Sequence, residues 1–202
     1  ITFDTGGLNI KPGEGMYTMK CDMSGAAAVL AATRAIADLG LDVWVTTYAP
    51  MAENMPSGTA YRPSDVVTMY GGTTVENSNS DAEGRIVMAD ALARSQADKP
   101  DLVVDVATLT GACMVALGLR TAGLMASDDA TADLVLDAAE AAGEDFWQLP
   151  IPQHIRDSLD SKVADLRSSG ARHGRASMAA AFLQRFVGEG TAWAHLDIAR
   201  PV

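Results

Sequence analysis

Read for the spacing of apolar and polar positions, the chain alternates between short β-branched runs and longer helical stretches of small residues. Ile1 to Asp4 predicts a short strand ending in Thr5-Gly6-Gly7, a turn that leaves backbone N–H groups free. Ser24 to Leu39 (SGAAAVLAATRAIADL) predicts a helix closed by Gly40, with an Ala- and Gly-rich face suited to close packing on a sheet. Leu41 to Tyr48 alternates and is rich in β-branched residues, which predicts a strand, and residues 50–63 predict a loop. Val66 to Tyr70 and Thr73 to Glu76 flank Gly71-Gly72, a strong two-residue hairpin signal.

In the second half, Asn79 or Ser80 can cap a helix that runs to about Ala97. Asp101 to Ala107 (DLVVDVA) is nearly continuous in apolar residues, the pattern of a central strand buried on both faces, and Thr108 to Ala112 reads as the loop at its end. A strand over Thr121 to Ala126 and a helix from about Ala130 to Ala142 follow. Pro150 and Pro152 break the chain before a short helix near Ile155 to Leu159; then come a helix over Arg175 to Val187 and a strand over Ala192 to Ile198. Strands alternating with helices predict an α/β layered fold, in which sites gather at the C-terminal ends of strands. With no repeat and no linker, 202 residues read as one domain.

Composition narrows the function. A hydrophobic fraction of 48% with 20% charged residues is that of an ordinary globular protein. A net charge of −11 argues against a nucleic-acid or anionic-membrane surface and suits cation binding. No apolar run reaches membrane-spanning length. Cys21 and Cys113 lack CxxC spacing and read as reduced core cysteines in a cytosolic setting. His154, His173 and His195 have no metal-ligand spacing, and His195 reads as a packed, hydrogen-bonded strand residue. Arg172, His173 and Arg175 read as a solvated loop or a subunit contact. No GxxxxGK, GxGxxG or nucleophile-elbow pattern occurs.

The chemistry concentrates in Asn79-Ser80-Asp81-Ala82-Glu83-Gly84-Arg85. Asp81 and Glu83 are two apart and cannot share a face of a regular helix, but in a loop entering one they can converge. Asp4 and Asp22 also sit at strand or loop ends beside small residues, with Lys11 and Arg85 as the nearby cations. Crowding such carboxylates costs about 4 kcal/mol per pair at ~4 Å and an effective dielectric near 20. Two divalent cations would neutralise them, hard oxygen donors suit such ions, and a pair of them can activate water.

Ile1 to Gly7 with Lys11-Pro12, Met19 to Gly25, Glu53 to Pro56, Asn79 to Arg85, Ala107 to Ala112 and Trp193 to Ala199 together resemble, in order, the signature blocks of the leucyl (cytosol) aminopeptidase family. The resemblance implies a three-layer αβα sandwich with a mixed central sheet, of the zinc-exopeptidase kind. It implies hydrolysis of the N-terminal residue of peptides at a two-metal centre, with Asp4, Asp22, Asp81 and Glu83 as ligands and Asp4 and Glu83 bridging. Zinc or manganese is the implied metal, with magnesium or cobalt as alternatives. Lys11 would polarise the scissile carbonyl. Arg85, helped by the backbone at Leu109, would hold a bicarbonate-like anion that shuttles protons. Met19, Asn79, Thr108 and Gly111 would line the substrate site, and the enzyme would be a cytoplasmic homo-oligomer, a hexamer. By the same resemblance residues 1–202 are expected to be a catalytic domain incomplete at both ends, with an N-terminal domain, a ligand lysine just before Ile1 and a final segment outside it. Such a piece alone is expected to be inactive. Two other classes stay open: a non-catalytic scaffold or DNA-binding assembly protein on the same fold, and a metal-dependent hydrolase of something other than a peptide.

Overall fold

A computed structural model describes residues 1–170 and 172–199. Strand β1 (Phe3–Asp4) leads through α1 (Gly13–Met16) and a 3-10 segment (Met19–Met23) into α2 (Ser24–Asp38). After β2 (Glu53–Asn54), β3 (Val66–Thr68) and β4 (Thr74–Glu76) comes α3 (Glu83–Ser95). The rest alternates: β5 (Leu102–Ala107), α4 (Gly111–Leu117), β6 (Ala122–Ala126), α5 (Asp129–Ala142), β7 (Phe146–Gln148), α6 (Gln153–Asp157), β8 (Leu166–Arg167), α7 (Arg175–Gln184) and β9 (Ala192–Asp197).

The α/β expectation holds, and the pleat of β9 shows its layers. The largest sheet has the order β5-β9-β6-β7, mixed because β9 runs parallel to β5 and antiparallel to β6. On one face, Trp193 and Met125 enter the main core with Phe182 and Leu183 of α7 and Ala89 and Leu92 of α3. On the other, Ala194 and Leu124 pack with Ala132 of α5. Helices therefore cover both faces. The Gly71-Gly72 hairpin is present: both glycines have positive φ (90° and 98°), which reverses the chain between antiparallel β3 and β4. Helix α2 seats so closely on β5 that a Cβ at Gly25 would overlap the Val106 carbonyl.

Besides the two-residue strand β2 inside the expected loop at 50–63, three expectations need correction. Residues 41–48 form no strand: the segment is irregular, with no ladder partner among the described residues, and Trp44 is 96% exposed. It is tied down by side chains instead, Thr33 to Thr47 and Tyr48 Oη to Asp98 Oδ2 at 2.5 Å. Strand β5 is not central but at the edge of its sheet, so Leu102 and Val104 keep large exposures where burial on both faces was expected. Finally, the expected loop at 108–112 ends early. Thr110 caps α4, accepting from Cys113 N, so Gly111 and Ala112 are already helical. Cys113 is buried, whereas Cys21 is only half-buried.

Candidate metal centre

The centre is built where three chain segments meet. Strands β1 and β2 pair in parallel with Asp4 opposite Asn54, which brings residues fifty positions apart side by side. After Asp4 the chain turns through Gly6, whose positive φ (86°) frees its N–H to donate to Asp4 Oδ1 at 2.8 Å. A Cβ there would lie 2.5 Å from Asn9 O and 2.9 Å from Asp81 Oδ1, so only glycine fits. Asn9 and Ser80 then clamp the two loops together. Ser80 N donates to Asn9 Oδ1 and Asn9 N to Ser80 Oγ, both at 2.8 Å, while Ser80 Oγ donates to Gly6 O, also at 2.8 Å.

The entry to α3 explains how Asp81 and Glu83 face one point. Asn79 caps a 3-10 turn (Ser80–Ala82), its side chain accepting from Asp81 N at 3.0 Å. Asp81 itself departs from helical angles (φ −88°, ψ 21°), and regular helix begins only at Glu83. The kink removes the roughly 200° rotation that separates two such positions in a continuous helix. Carboxylate oxygens of Asp4, Asp81 and Glu83 all lie within 4.8 Å of one another.

Lys11 Nζ reaches Asp4 Oδ2 at 2.8 Å and Asp81 Oδ1 at 2.6 Å. Burial works against its charge, but these two ion pairs prevail and hold Lys11 above its ordinary pKa. One ammonium does not balance the acids. Burial, reinforced by the neighbouring Asp4, pushes Glu83 up to about 8. Burial also raises Asp81 despite Lys11. Asp22 lies outside the tight trio. Thr108 Oγ1 donates to its Oδ1 at 2.7 Å, its Oδ2 is buried without a partner among the described residues, and burial pushes it up to about 6. Orphaned buried oxygen and carboxyls that resist ionisation fit a site made for cationic charge, and an all-oxygen donor set fits hard divalent ions.

Arg85 follows on the buried face of α3. Its Nη1 donates to Ser168 O at 2.9 Å, its Nε has no partner among the described residues, and burial lowers it to about 10 against the pull of Glu83 and Asp197. Leu109 lies nearby, its Cδ1 3.2 Å from where a Cβ on Gly84 would stand, and its N–H donates to Asp197 Oδ1 at 3.2 Å. Met19 is half-buried in the 3-10 segment that carries Asp22, Thr108 touches Asp22, and Gly111 opens α4 at the surface.

Sequence reasoning missed Asn54, Ser80, Asn9 and the Asp105–His195 pair. A polar residue flanked by Glu53 and Met55 carries no local signal of its partners. Only the long-range pairing of β1 with β2 places Asn54. His195 is packed and hydrogen-bonded, as expected: its Nδ1 meets Asp105 Oδ1, and Trp193 Nε1 donates to Asp105 Oδ2 at 2.7 Å.

The model of the cytosol aminopeptidase family catalytic domain matches residues 1–202. A probable cytosol aminopeptidase of Cutibacterium acnes is 69% identical over 201 residues, 100% of this chain and 40% of that protein. Its counterpart in Streptomyces avermitilis is 58% identical over 201 residues, with 100% and 39% covered. The chain thus spans about two fifths of the length of the curated relatives it matches. Of solved structures, the bottromycin maturation enzyme BotP in complex with Mn aligns at a TM-score of 0.95 and 52% identity, covering 100% of this chain and 45% of that one. The cytosol aminopeptidase of Coxiella burnetii aligns at 0.94 and 44% identity, covering 98% and 44%. Folded as a mixed sheet between helices, with Asp4, Asp81 and Glu83 gathered at one point beside a lysine, this chain belongs to the cytosol aminopeptidase family.

Proposed function

We propose that the protein removes the N-terminal amino acid from peptides at a centre where Asp4, Asp22, Asp81 and Glu83 would hold two divalent cations. The observation that carries this reading is the convergence of Asp4, Asp81 and Glu83 within 4.8 Å, with a single ammonium group paired to Asp4 and Asp81. The Mn complex of BotP favours manganese among the candidate ions, zinc, magnesium and cobalt being the alternatives. Bound cations would offset the carboxylates and activate water as a nucleophile.

The chain's own groups supply the rest. Lys11 carries a firmly held proton at the centre and donates to the oxygen of the scissile carbonyl as negative charge develops there. Arg85, buried with an Nε that has no partner among the described residues, suits a planar oxyanion such as bicarbonate, and an anion held there would supply general acid–base chemistry. The Leu109 N–H is engaged by Asp197, so any help from that loop comes through its other backbone groups. Met19, Asn79, Thr108 and Gly111 are the substrate-lining set. Large exposed apolar side chains such as Tyr17 and Trp44 support burial against further protein, and by the family resemblance the assembly proposed is a cytoplasmic hexamer. The test is release of the N-terminal residue from short peptides by the full-length protein, stripped of metal and then resupplied with Mn2+. Release that returns with the metal supports the reading, and release that never depended on metal refutes it.

A further inference from the structure

Asn54 belongs to no ligand set, yet its side chain lies at the heart of the centre. Its amide nitrogen is 2.7 Å from Asp4 Oδ1, 2.9 Å from Ser80 O and 3.3 Å from Glu83 Oε2. The Ser80 carbonyl can only accept, so the nitrogen and not the amide oxygen must face this point. Among the described residues it is the only side chain whose hydrogen bonds reach both Asp4 and Glu83. Its position is over-determined. Asn54 O accepts from Thr5 N at 3.0 Å and from Thr5 Oγ1 at 2.7 Å, and its Oδ1 is lodged against Gly7 so tightly that a Cβ there would lie 2.9 Å away. Asn54 is 6% exposed and Asp4 3%.

We propose that Asn54 is the positioning residue of the metal centre: its neutral amide orients the Asp4 and Glu83 carboxylates toward a common point before any cation arrives. The inference rests on the metal-dependent reading above. Neutrality matters because a lysine here would repel the cations, while an acid would add to carboxylates that already resist ionisation. Length matters too, since the donor must span Asp4, Ser80 and Glu83 from a strand fixed by Thr5. Two amide protons serve three acceptors, so the longest contact, to Glu83, is the one free to yield when a cation draws that carboxylate in. Groups outside the ligand sphere that orient metal ligands typically carry about 10–100-fold in metal affinity or activity.

The test uses the full-length protein, wild type and Asn54→Ala, with Mn2+ as the probe. Affinity is read by competition with a chelating dye, turnover on an aminoacyl anilide, and melting temperature with and without metal. Asn54→Ala is expected to weaken Mn2+ binding by about 10–100-fold and to lower kcat with KM nearly unchanged. Should that variant fail to fold, Asn54→Asp keeps the shape without the donor, and the same loss of Mn2+ affinity is expected. Unchanged affinity and kcat in a folded variant would overturn the inference. So would a lower melting temperature with unaltered Mn2+ affinity, which marks a structural role, or tighter binding by Asn54→Asp, which marks a ligand position. A wild type that binds no Mn2+ would overturn the reading of the centre itself, and that outcome is distinct from a wild type that binds and a variant that binds equally well.

Discussion

Two polar clusters lie buried in this fold, and they are built on opposite principles. Around Asp105 and Asp197 the chain satisfies its own charges. Asp105 receives Trp193 Nε1 and pairs with His195, and Asp197 accepts from Leu109 N, Thr110 N, Thr110 Oγ1 and Ala199 N at 2.6–3.2 Å. Around Asp4, Asp81 and Glu83, one ammonium reaches Asp4 and Asp81, one amide reaches Asp4 and Glu83, and burial, reinforced by Asp4, pushes Glu83 up to about 8. A fold that pairs the carboxylates of one cluster with its own donors, with His195 Nε2 left without a partner among the described residues, and leaves the other cluster short of charge separates structure from function. The closed cluster holds the loop after β5, and the open one is arranged for a ligand.

The comparison breaks most sharply at Glu83. Glu83→Gln keeps size and removes charge, and the full-length protein is expected to lose nearly all turnover and one metal equivalent, read by metal analysis and peptide hydrolysis. Full metal content with normal turnover would place the site elsewhere.

Lys11 sharpens it next. Lys11→Ala is expected to cut turnover by roughly 100-fold or more, the scale of losing one oxyanion donor, with metal content nearly unchanged. Metal loss with turnover preserved would make Lys11 a structural counter-ion only.

A smaller effect follows from protons. In the metal-free protein Glu83 rises from 4.5 to about 8, so the folded state holds a proton there that the unfolded chain gives up above about 4.5. This carboxyl therefore makes the metal-free fold less stable as pH climbs from about 4.5 to 8, and a cation reverses the penalty by displacing the proton. Calorimetric Mn2+ titration in buffers of different ionisation enthalpy should show about one proton released near pH 6.5 and almost none near pH 9. Equal release at both would remove the charge deficit on which the comparison stands.

The least effect on function is expected from the closed cluster. Burial opposes charge on His195, but Asp105 outweighs it and raises the histidine above its usual value. The stabilisation is thus full below about pH 6.5 and fades as pH passes the folded value. Asp105→Asn should cost about 1–3 kcal/mol of stability, read by chemical denaturation, while leaving Mn2+ affinity intact.

What the sequence reveals and what it hides divide along the same line. Local patterns show the helices α2, α3, α5 and α7, the glycine hairpin and the Asn79 cap, because those features are decided within a few neighbouring residues. The order of motifs also reveals Asp4, Asp81 and Glu83, which the structure gathers to one point. Residues 41–48 mislead because alternation records residue type and not the presence of a neighbouring strand. Strand β5 misleads likewise, since an apolar run says nothing of position in a sheet. Asn54 and the Asn9–Ser80 clamp stay hidden because their partners lie 26–71 positions away and meet only in the folded chain.

The most direct test of the centre is anomalous diffraction at the manganese edge from crystals of the full-length protein grown with Mn2+. The account predicts strong metal scattering enclosed by Asp4, Asp81 and Glu83, with Lys11 beside the metal and not coordinating it. Ordered carboxylates around a lysine that still bridges Asp4 and Asp81, with no metal scattering between them, would contradict it.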